Sequence, residues 1–194
     1  MPREIVKYGH PALRTPGKPV GNITEKIREL AEEMLHLMRK ANGLGLAAQQ
    51  VGEPLLLCWI DVPPMEDRPS RMKVKGQEVA LLDWMPLCLI NPEISLSKEK
   101  EIGGEGCLSF PEIHADIRRS KRVRVKARQL TGEPLEFECE GLLAKAVQHE
   151  VDHLKGVLFI DRMDSATKLS LKKDVDDLMH RTVSRQNLRA KARP

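Results

Sequence analysis

The chain of 194 residues is long enough for one domain with a sizeable core, or for two small domains. Its 41% hydrophobic and 31% charged residues are ordinary for a globular protein, and a net charge of +4 does not by itself indicate nucleic-acid binding. The sequence contains neither a signal peptide nor a stretch approaching the roughly 18 apolar residues of a membrane span. It therefore predicts a cytoplasmic protein without a membrane segment, whose four cysteines are thiols, metal ligands or core residues.

The first half of the chain predicts a helix, a strand and a loop. Residues 24–43 carry apolar side chains at three- and four-residue steps, which predicts an amphipathic helix with Thr24 as its N-cap and Gly43 as its C-terminal cap. The continuous apolar run "PLLLCWIDV", which starts at Pro54, predicts a buried strand. Residues 63–86 are mixed in charge and rich in proline, and we interpret them as an excursion or mobile loop rather than a domain boundary.

The second half predicts three further strands and two helices. "PLCLINPEISL" is a strand candidate, and "KRVRVKARQL" and "PLEFECEG" alternate as half-buried strands do. The turn "TGEP" between the last two predicts a hairpin whose basic and acidic residues face each other. One helix is expected from about Gly141 to Gly156, and another over about 165–188.

The helix that begins near Gly141 carries the first chemical motif. In "VQHEVDHLKG", His149 and His153 are four residues apart and share one helix face, with Glu150 beside them as a proton carrier. HExxH on a helix is the signature of zinc hydrolases, although a surface histidine pair can produce the same letters. We expect one α+β domain, with mainly antiparallel sheets packed around this central HExxH helix and a C-terminal helix. The domain would span residues 1–194, with 1–164 as its core and 165–194 as the C-terminal helix and basic tail.

Two histidines need a third ligand, and the solutions of the common metalloproteases are absent. The metzincin histidine position is occupied by Phe159, and no glutamate follows Glu150 in this chain. Asp161 and Asp164 remain possible, but they lie just beyond the expected end of the helix. A structural zinc site would need a close pair of cysteines, and the four cysteines are tens of residues apart.

The segment "GGEGCLSFP" offers a third ligand of another kind. Its Cys107 has glycine neighbours, which let the backbone approach a ligand closely. A thiolate binds a divalent metal well, and two histidines plus one cysteine leave a fourth position for water. Cys58, Cys88 and Cys139 lie in apolar strand patterns, so we interpret them as small buried hydrophobic residues.

A third motif, "GLGLAAQQVG", covers residues 43–52. It matches the GxGxxA variant of the dinucleotide fingerprint, but here the helix precedes it and the strand follows it, which excludes that interpretation. Its small residues would let the chain pass close to a substrate backbone, with Gln49 or Gln50 placing an amide donor in a pocket. The alternative is a helix cap with both glutamines in solvent.

The three motifs together resemble those of peptide deformylases. The family patterns GxGLAAxQ, EGCLS and QHExDH stand here in order as "GLGLAAQQ", "EGCLS" and "QHEVDH", and the resemblance covers the chain to about residue 164. It implies a metal-dependent hydrolase that removes the N-formyl group from the N-terminal formylmethionine of nascent polypeptides and releases formate. The alternatives are a metallopeptidase or amidase with the same site, and a non-enzymatic structural metal or RNA-binding protein.

The resemblance also implies roles for individual residues. The metal would be bound by one thiolate and two imidazoles: Cys107, His149 and His153. Glu150 would act as general acid/base, and Gln50 and the backbone N–H of Leu108 would stabilise the oxyanion. Five residues would contact the substrate or its methionine side chain: Leu44, Gly45, Gly106, Leu142 and Ala146. The implied ion is Fe²⁺, one per chain, with Ni²⁺, Co²⁺ or Zn²⁺ able to replace it.

Several features depart from the family pattern or are left open by it. The segment 63–86 is longer than in compact members, and His114 stands where many members have Arg or Tyr near the pocket mouth. Lys145 interrupts the apolar run before the motif, and we expect its ammonium to reach solvent. Glu105 and Asp152 are both candidates to accept a hydrogen bond from a ligand histidine.

The C-terminal segment "HRTVSRQNLRAKARP" is basic or neutral throughout. One interpretation is a solvated helix face, which is the usual role of a charge run. The other is docking to ribosomal RNA near the peptide exit, where formylated nascent chains emerge.

Overall fold

The computed structural model describes residues 3–191, and its elements are those of an α+β domain. The helices are α1 (Glu25–Lys40), α2 (Gly141–Leu154), α3 (Phe159–Arg162) and α4 (Ser165–Lys191). The strands are β1 (Gly45–Ala47), β2 (Leu57–Ile60), β3 (Ser70–Val74), β4 (Gln77–Val79), β5 (Leu87–Leu96), β6 (Lys100–Cys107), β7 (Phe110–Ser120), β8 (Arg122–Arg128) and β9 (Pro134–Glu140). Within the described part of the chain, no helix combines the length and apolar character that crossing a membrane requires.

Two antiparallel sheets surround α2, which confirms the predicted fold class. The larger sheet has the order β1-β2-β5-β8-β9-β3-β4, and β6 and β7 form a separate two-stranded sheet. Strand β2 is buried on both faces: Cys58 and Ile60 join the core that α2 covers, whereas Leu57 and Trp59 join the core that α1 covers. Burial on both faces explains why this strand is a continuous apolar run.

The end of α1 differs by one residue from the prediction. Asn42 adopts the left-handed conformation with φ 53°, and the N–H of Gly43 donates to the carbonyl of Met38 at 2.9 Å. This is a Schellman ending, in which the left-handed position precedes Gly43. The turn leads the chain directly into β1, which lies beside α2.

Of the two alternatives for residues 63–86, an excursion or a mobile loop, the mobile loop is wrong for the central part. Strands β3 and β4 form a hairpin there, and β3 pairs with β9. Lys75 and Gly76 both have positive φ, as a two-residue hairpin turn requires. Only one β3 side chain, Met72, is fully buried, so the sequence lacks the apolar alternation that reveals a strand.

The other predicted elements are confirmed. β8 and β9 form the expected hairpin, with Arg124 opposite Glu138 and Lys126 opposite Glu136. Helix α2 begins at Gly141 as predicted, and the Oγ of Ser70 accepts a hydrogen bond from the Leu143 N–H in its first turn at 3.0 Å. Helix α4 begins at Ser165 and continues beyond its predicted end; the last three residues of the predicted tail lie outside the described residues.

Met72 tests whether the hairpin is part of the core. Because its side chain is 1% exposed, Met72→Ala is expected to lower the free energy of unfolding by about 2–5 kcal/mol, measured by urea denaturation. The Lys73 side chain on the same strand is exposed, so Lys73→Ala is expected to change the free energy of unfolding by less than about 0.5 kcal/mol. Equal effects of the two substitutions would mean that the hairpin is not packed in solution.

Candidate metal centre

Helix α2 and the end of β6 bring a thiol and two imidazoles together. One ligand atom from each of Cys107, His149 and His153 lies within 4.8 Å of the other two, and this is the one such group that residues 3–191 contain. The distance from Cys107 Sγ to His153 Nε2 is 3.2 Å. Ligands bound tetrahedrally at about 2.0–2.3 Å stand roughly 3.5 Å apart, so the donor set fits a divalent ion.

The alternative third ligands are engaged elsewhere. Asp161 forms an ion pair with Arg14 and accepts a hydrogen bond from the backbone N–H of Leu158. Asp164 accepts one from the backbone N–H of Thr167 at 2.8 Å. Both carboxylates therefore stabilise the chain around α3 and the start of α4.

A buried arginine fixes the orientation of His149. Arg119 donates from Nε and Nη2 to Glu105 at 2.7 and 2.9 Å, and from Nη1 to Asp152. Glu105 Oε2 lies 3.0 Å from His149 Nδ1, which leaves the Nε2 atom of that ring for a metal. Burial alone would raise the pKa of Glu105, but the hydrogen bonds and charges of Arg119 and His149 outweigh it and lower this pKa to about 2.

The sequence offered two carboxylates, Glu105 and Asp152, as acceptors of a histidine hydrogen bond, and the structure distinguishes them. Glu105 contacts His149 directly, whereas Asp152 accepts hydrogen bonds from Arg119 and Arg162. The sequence analysis missed Arg119 altogether. Arg119 follows Ile113, Ala115 and Ile117 at two-residue steps and so lies on the inward face of β7. This alternation is the signal that could have revealed it.

Glu150 is a buried carboxylate of a different kind. It is 4% exposed, and within the described chain its Oε2 atom has no hydrogen-bond partner. Burial is the main cause that raises its pKa to about 7. The carboxylate lies against the backbone of β1: a Cβ atom added at Gly45 would be 2.3 Å from Glu150 Oε1. Any side chain at Gly45 must therefore displace the carboxylate.

Both glutamines of "GLGLAAQQVG" are buried, which excludes the alternative that placed them in solvent. Gln50 accepts a hydrogen bond from the Ala47 N–H at 2.9 Å and directs its Nε2 toward Cys107 and Ser109, at 3.5 and 3.3 Å. Gln49 instead donates to the carbonyl of Leu154 at 3.2 Å. The amide donor of the site is therefore on Gln50.

A cavity of about 520 Å³ opens over the cluster. Its walls include every residue expected to contact the substrate: Leu44, Gly45, Gly106, Leu142 and Ala146. Gln50, Leu108 and His114 line it as well. Lys145 also lines the cavity, its side chain is 16% exposed, and its Nζ lies 3.2 Å from Glu101 Oε1.

Comparison with known proteins assigns the chain to a family. A family model described as polypeptide deformylase matches residues 2–169. The chain belongs to the polypeptide deformylase family. It is 42% identical over 175 residues to the peptide deformylase of Methylacidiphilum infernorum, covering 90% of this chain and 92% of that one. It is 41% identical over 179 residues to that of Thermotoga maritima, covering 92% and 96%.

Solved structures of deformylases share the fold. The crystal structure of peptide deformylase from Thermotoga maritima superimposes with a TM-score of 0.71 at 39% identity, covering 84% of this chain and 99% of that one. That of Arabidopsis thaliana peptide deformylase 1B with an inhibitor gives 0.76 at 34% identity, covering 90% and 89%. The family match ends within the first turns of α4, so most of that helix lies beyond it.

Glu105 links the buried arginine to the ligand cluster, so its neutralisation should weaken metal binding. Glu105→Gln is expected to lower the affinity for a divalent metal about 10–100-fold, measured by competition with a chelator. Glu138→Gln removes a carboxylate that also pairs with an arginine, but on the protein surface, and is expected to leave that affinity unchanged. An unchanged affinity in Glu105→Gln would contradict the role given to the Glu105–His149 contact.

Proposed function

We propose that this chain removes the N-formyl group from the N-terminal formylmethionine of nascent polypeptides, as a metal-dependent hydrolase that releases formate. Membership of the deformylase family supports this reaction. The observation that carries it is the position of the buried Glu150 carboxylate, whose Oε2 atom has no hydrogen-bond partner among the described residues, in the cavity wall beside a thiol and two imidazoles.

We propose that Cys107, His149 and His153 hold one Fe²⁺ ion, with Ni²⁺, Co²⁺ or Zn²⁺ able to replace it. One soft thiolate and two imidazoles suit all four of these ions. Burial lowers the pKa of His153 well below its ordinary value, which favours the neutral ring that a metal ligand must be. Burial alone would also lower the pKa of His149, but the hydrogen bonds to Cys107 and Glu105 outweigh it and raise this pKa well above its ordinary value, so metal binding would have to displace a proton there. When bound, such an ion supplies Lewis acidity that lowers the pKa of a water ligand from about 15.7 to about 7.

The residues of the cavity would position the substrate. Leu44, Leu142 and Ala146 supply apolar surface for the methionine side chain. Gly45 and Gly106 expose backbone to the cavity without a side chain in between, so the peptide backbone of a substrate can approach them.

Glu150 and Gln50 would carry out the proton transfer and the charge stabilisation. Glu150 would take a proton from the attacking water and deliver it to the leaving amine, and its pKa of about 7 suits both steps. Gln50 Nε2 and the backbone N–H of Leu108 would donate to the formyl oxygen as negative charge develops there. Loss of one such donor typically lowers the rate about 10²–10³-fold.

The rival functions leave features of the site unexplained. A structural metal site gains nothing from a buried carboxylate oxygen that has no hydrogen-bond partner in the described chain, because its burial costs desolvation free energy. A metallopeptidase could use the same ligands, and it is distinguished by hydrolysis of internal peptide bonds rather than of the formyl group.

Glu150→Gln distinguishes a catalytic function from that of a structural metal site. In protein loaded anaerobically with iron or nickel, this variant is expected to hydrolyse formyl-Met-Ala-Ser about 10²–10⁴-fold more slowly, because the general acid/base is removed. Its metal content should remain equal to that of the wild type. Glu136→Gln, an exposed carboxylate on β9, serves as the control that retains full activity. Absence of deformylation by correctly metallated wild-type protein would refute the proposed function.

We also propose that the end of α4 docks on ribosomal RNA. Helix α4 packs through Leu178 onto the body of the domain, and Gly9 lies against Met179 and Thr182. From Leu178 onward the chain contains no acidic residue, and Arg181 and Arg185 are exposed. A basic helix end that extends beyond its packing contacts suits a polyanionic partner.

The charge-reversed variant Arg181→Glu/Arg185→Glu tests this docking. It is expected to weaken cosedimentation with ribosomes and to reduce the loss of binding between about 50 and 200 mM salt, because fewer phosphates are neutralised. Deformylation of free formyl-Met-Ala-Ser should be unchanged, since both residues lie outside the cavity. Ribosome binding equal to that of the wild type would argue that the helix face is merely solvated.

A further inference from the structure

Lys145 places a charged group in the wall of the cavity that would receive the methionine side chain. It lies between Leu142 and Ala146 on the face of α2 that lines the cavity, one helical turn before His149. Its side chain is only 16% exposed, although lysine is among the residues that are least often buried.

The ammonium is fixed between α2 and β6. Lys145 Nζ lies 3.2 Å from Glu101 Oε1, and a Cβ atom added at Gly103 would be 2.3 Å from Nζ. The absence of a side chain at Gly103 therefore lets the ammonium lie against the backbone of β6. The next residues of this strand, Gly104, Glu105 and Gly106, line the cavity that the Lys145 side chain also lines.

The ammonium has hydrogen-bonding capacity beyond its ion pair. An ammonium has three N–H donors, and in the described chain Glu101 is the one ion-pair partner of Lys145. Two donors are thus left that this ion pair does not use. The thioether sulfur of methionine is a weak acceptor, whereas the oxygen of methionine sulfoxide is a strong and polar one.

We infer that Lys145 is a specificity-determining residue that lets the cavity accept a polar, hydrogen-bond-accepting side chain, so that peptides beginning with formylmethionine sulfoxide are also substrates. This inference rests on the proposed deformylase function. Burying a sulfoxide oxygen against apolar walls alone would cost its hydration, and a hydrogen bond from the ammonium offsets that cost. The oxidised N-terminal residue of a nascent chain would then not block deformylation.

A competition experiment measures this discrimination. Formyl-Met-Ala-Ser and its methionine sulfoxide counterpart are mixed with metallated enzyme, and the ratio of their kcat/KM values is obtained from the two products. The wild type is expected to disfavour the sulfoxide by no more than about tenfold, and Lys145→Met to increase that discrimination by a further tenfold to hundredfold, about what one hydrogen bond to a charged group contributes. Because both substrates compete for the same molecules, the ratio does not depend on the folded fraction.

Three controls make the result specific. Formyl-norleucyl-Ala-Ser has no strong acceptor, so its ratio to the methionine peptide should change less than about threefold in Lys145→Met. Lys155→Met alters an exposed lysine just after α2 and should leave every ratio unchanged. Lys145→Gln, which keeps a neutral donor, should give an intermediate ratio and replaces Lys145→Met if that variant does not fold.

The outcomes distinguish the inference from the function on which it rests. If the wild type hydrolyses the methionine peptide but Lys145→Met leaves the sulfoxide ratio unchanged, the inference is wrong and the deformylase function stands. If the wild type hydrolyses neither peptide, both are overturned.

Discussion

Arg119, which is 4% exposed, lies between two carboxylates from different elements, Glu105 of β6 and Asp152 of α2. A buried guanidinium must have anionic partners, because an unpaired charge in this environment costs several kcal/mol. The pairing ties the two-stranded sheet to α2, and Cys107 follows Glu105 by two residues on the same strand. The distance between the thiol and the two histidines of α2 therefore depends on this buried network, whose net contribution to folding stability need not be large.

Close backbone approach brings the segment "GLGLAAQQ" to the other two motifs. A Cβ atom at Gly43 would lie 2.6 Å from the side chain of Leu108, and one at Gly45 would overlap the Glu150 carboxylate. The glycines of "GLGLAAQQ" thus contact the segments "EGCLS" and "QHEVDH" at separate points. The spacing of these glycines matches a dinucleotide-binding sequence pattern, but the structural role differs. The absence of side chains at the glycines makes room for protein groups rather than for a phosphate.

The elements that the sequence predicted are ones whose burial follows a simple period. The helices, the β8–β9 hairpin and the doubly buried strand β2 all carry such patterns. The sequence analysis did not predict β1, β3, β4, β6 or β7. Met72 is the only fully buried residue of β3, and every second position of β6 from Glu101 to Cys107 is only partly covered, whereas the alternation of β7 was overlooked. The candidate metal ligands could be found by elimination, because the chain has only four cysteines and six histidines. Arg119 and Lys145 were not assigned to the site, because a charged residue in a sequence is ordinarily expected to face solvent, and only the inward position of Arg119 on β7 argues against that expectation.

The buried charges of the site differ in how they are compensated, and this difference assigns their roles. Glu105 has a guanidinium and an imidazole as partners, which outweigh its burial and hold its pKa at about 2. Glu150 lies in the same protein interior, and its Oε2 has no such partner in the described chain, so burial raises its pKa to about 7. Two carboxylates whose pKa values are separated in this way serve different purposes: one remains a fixed charge that orients a ligand, and the other can gain and lose a proton near neutral pH. We infer from this contrast that Glu150, rather than Glu105, moves protons in the reaction.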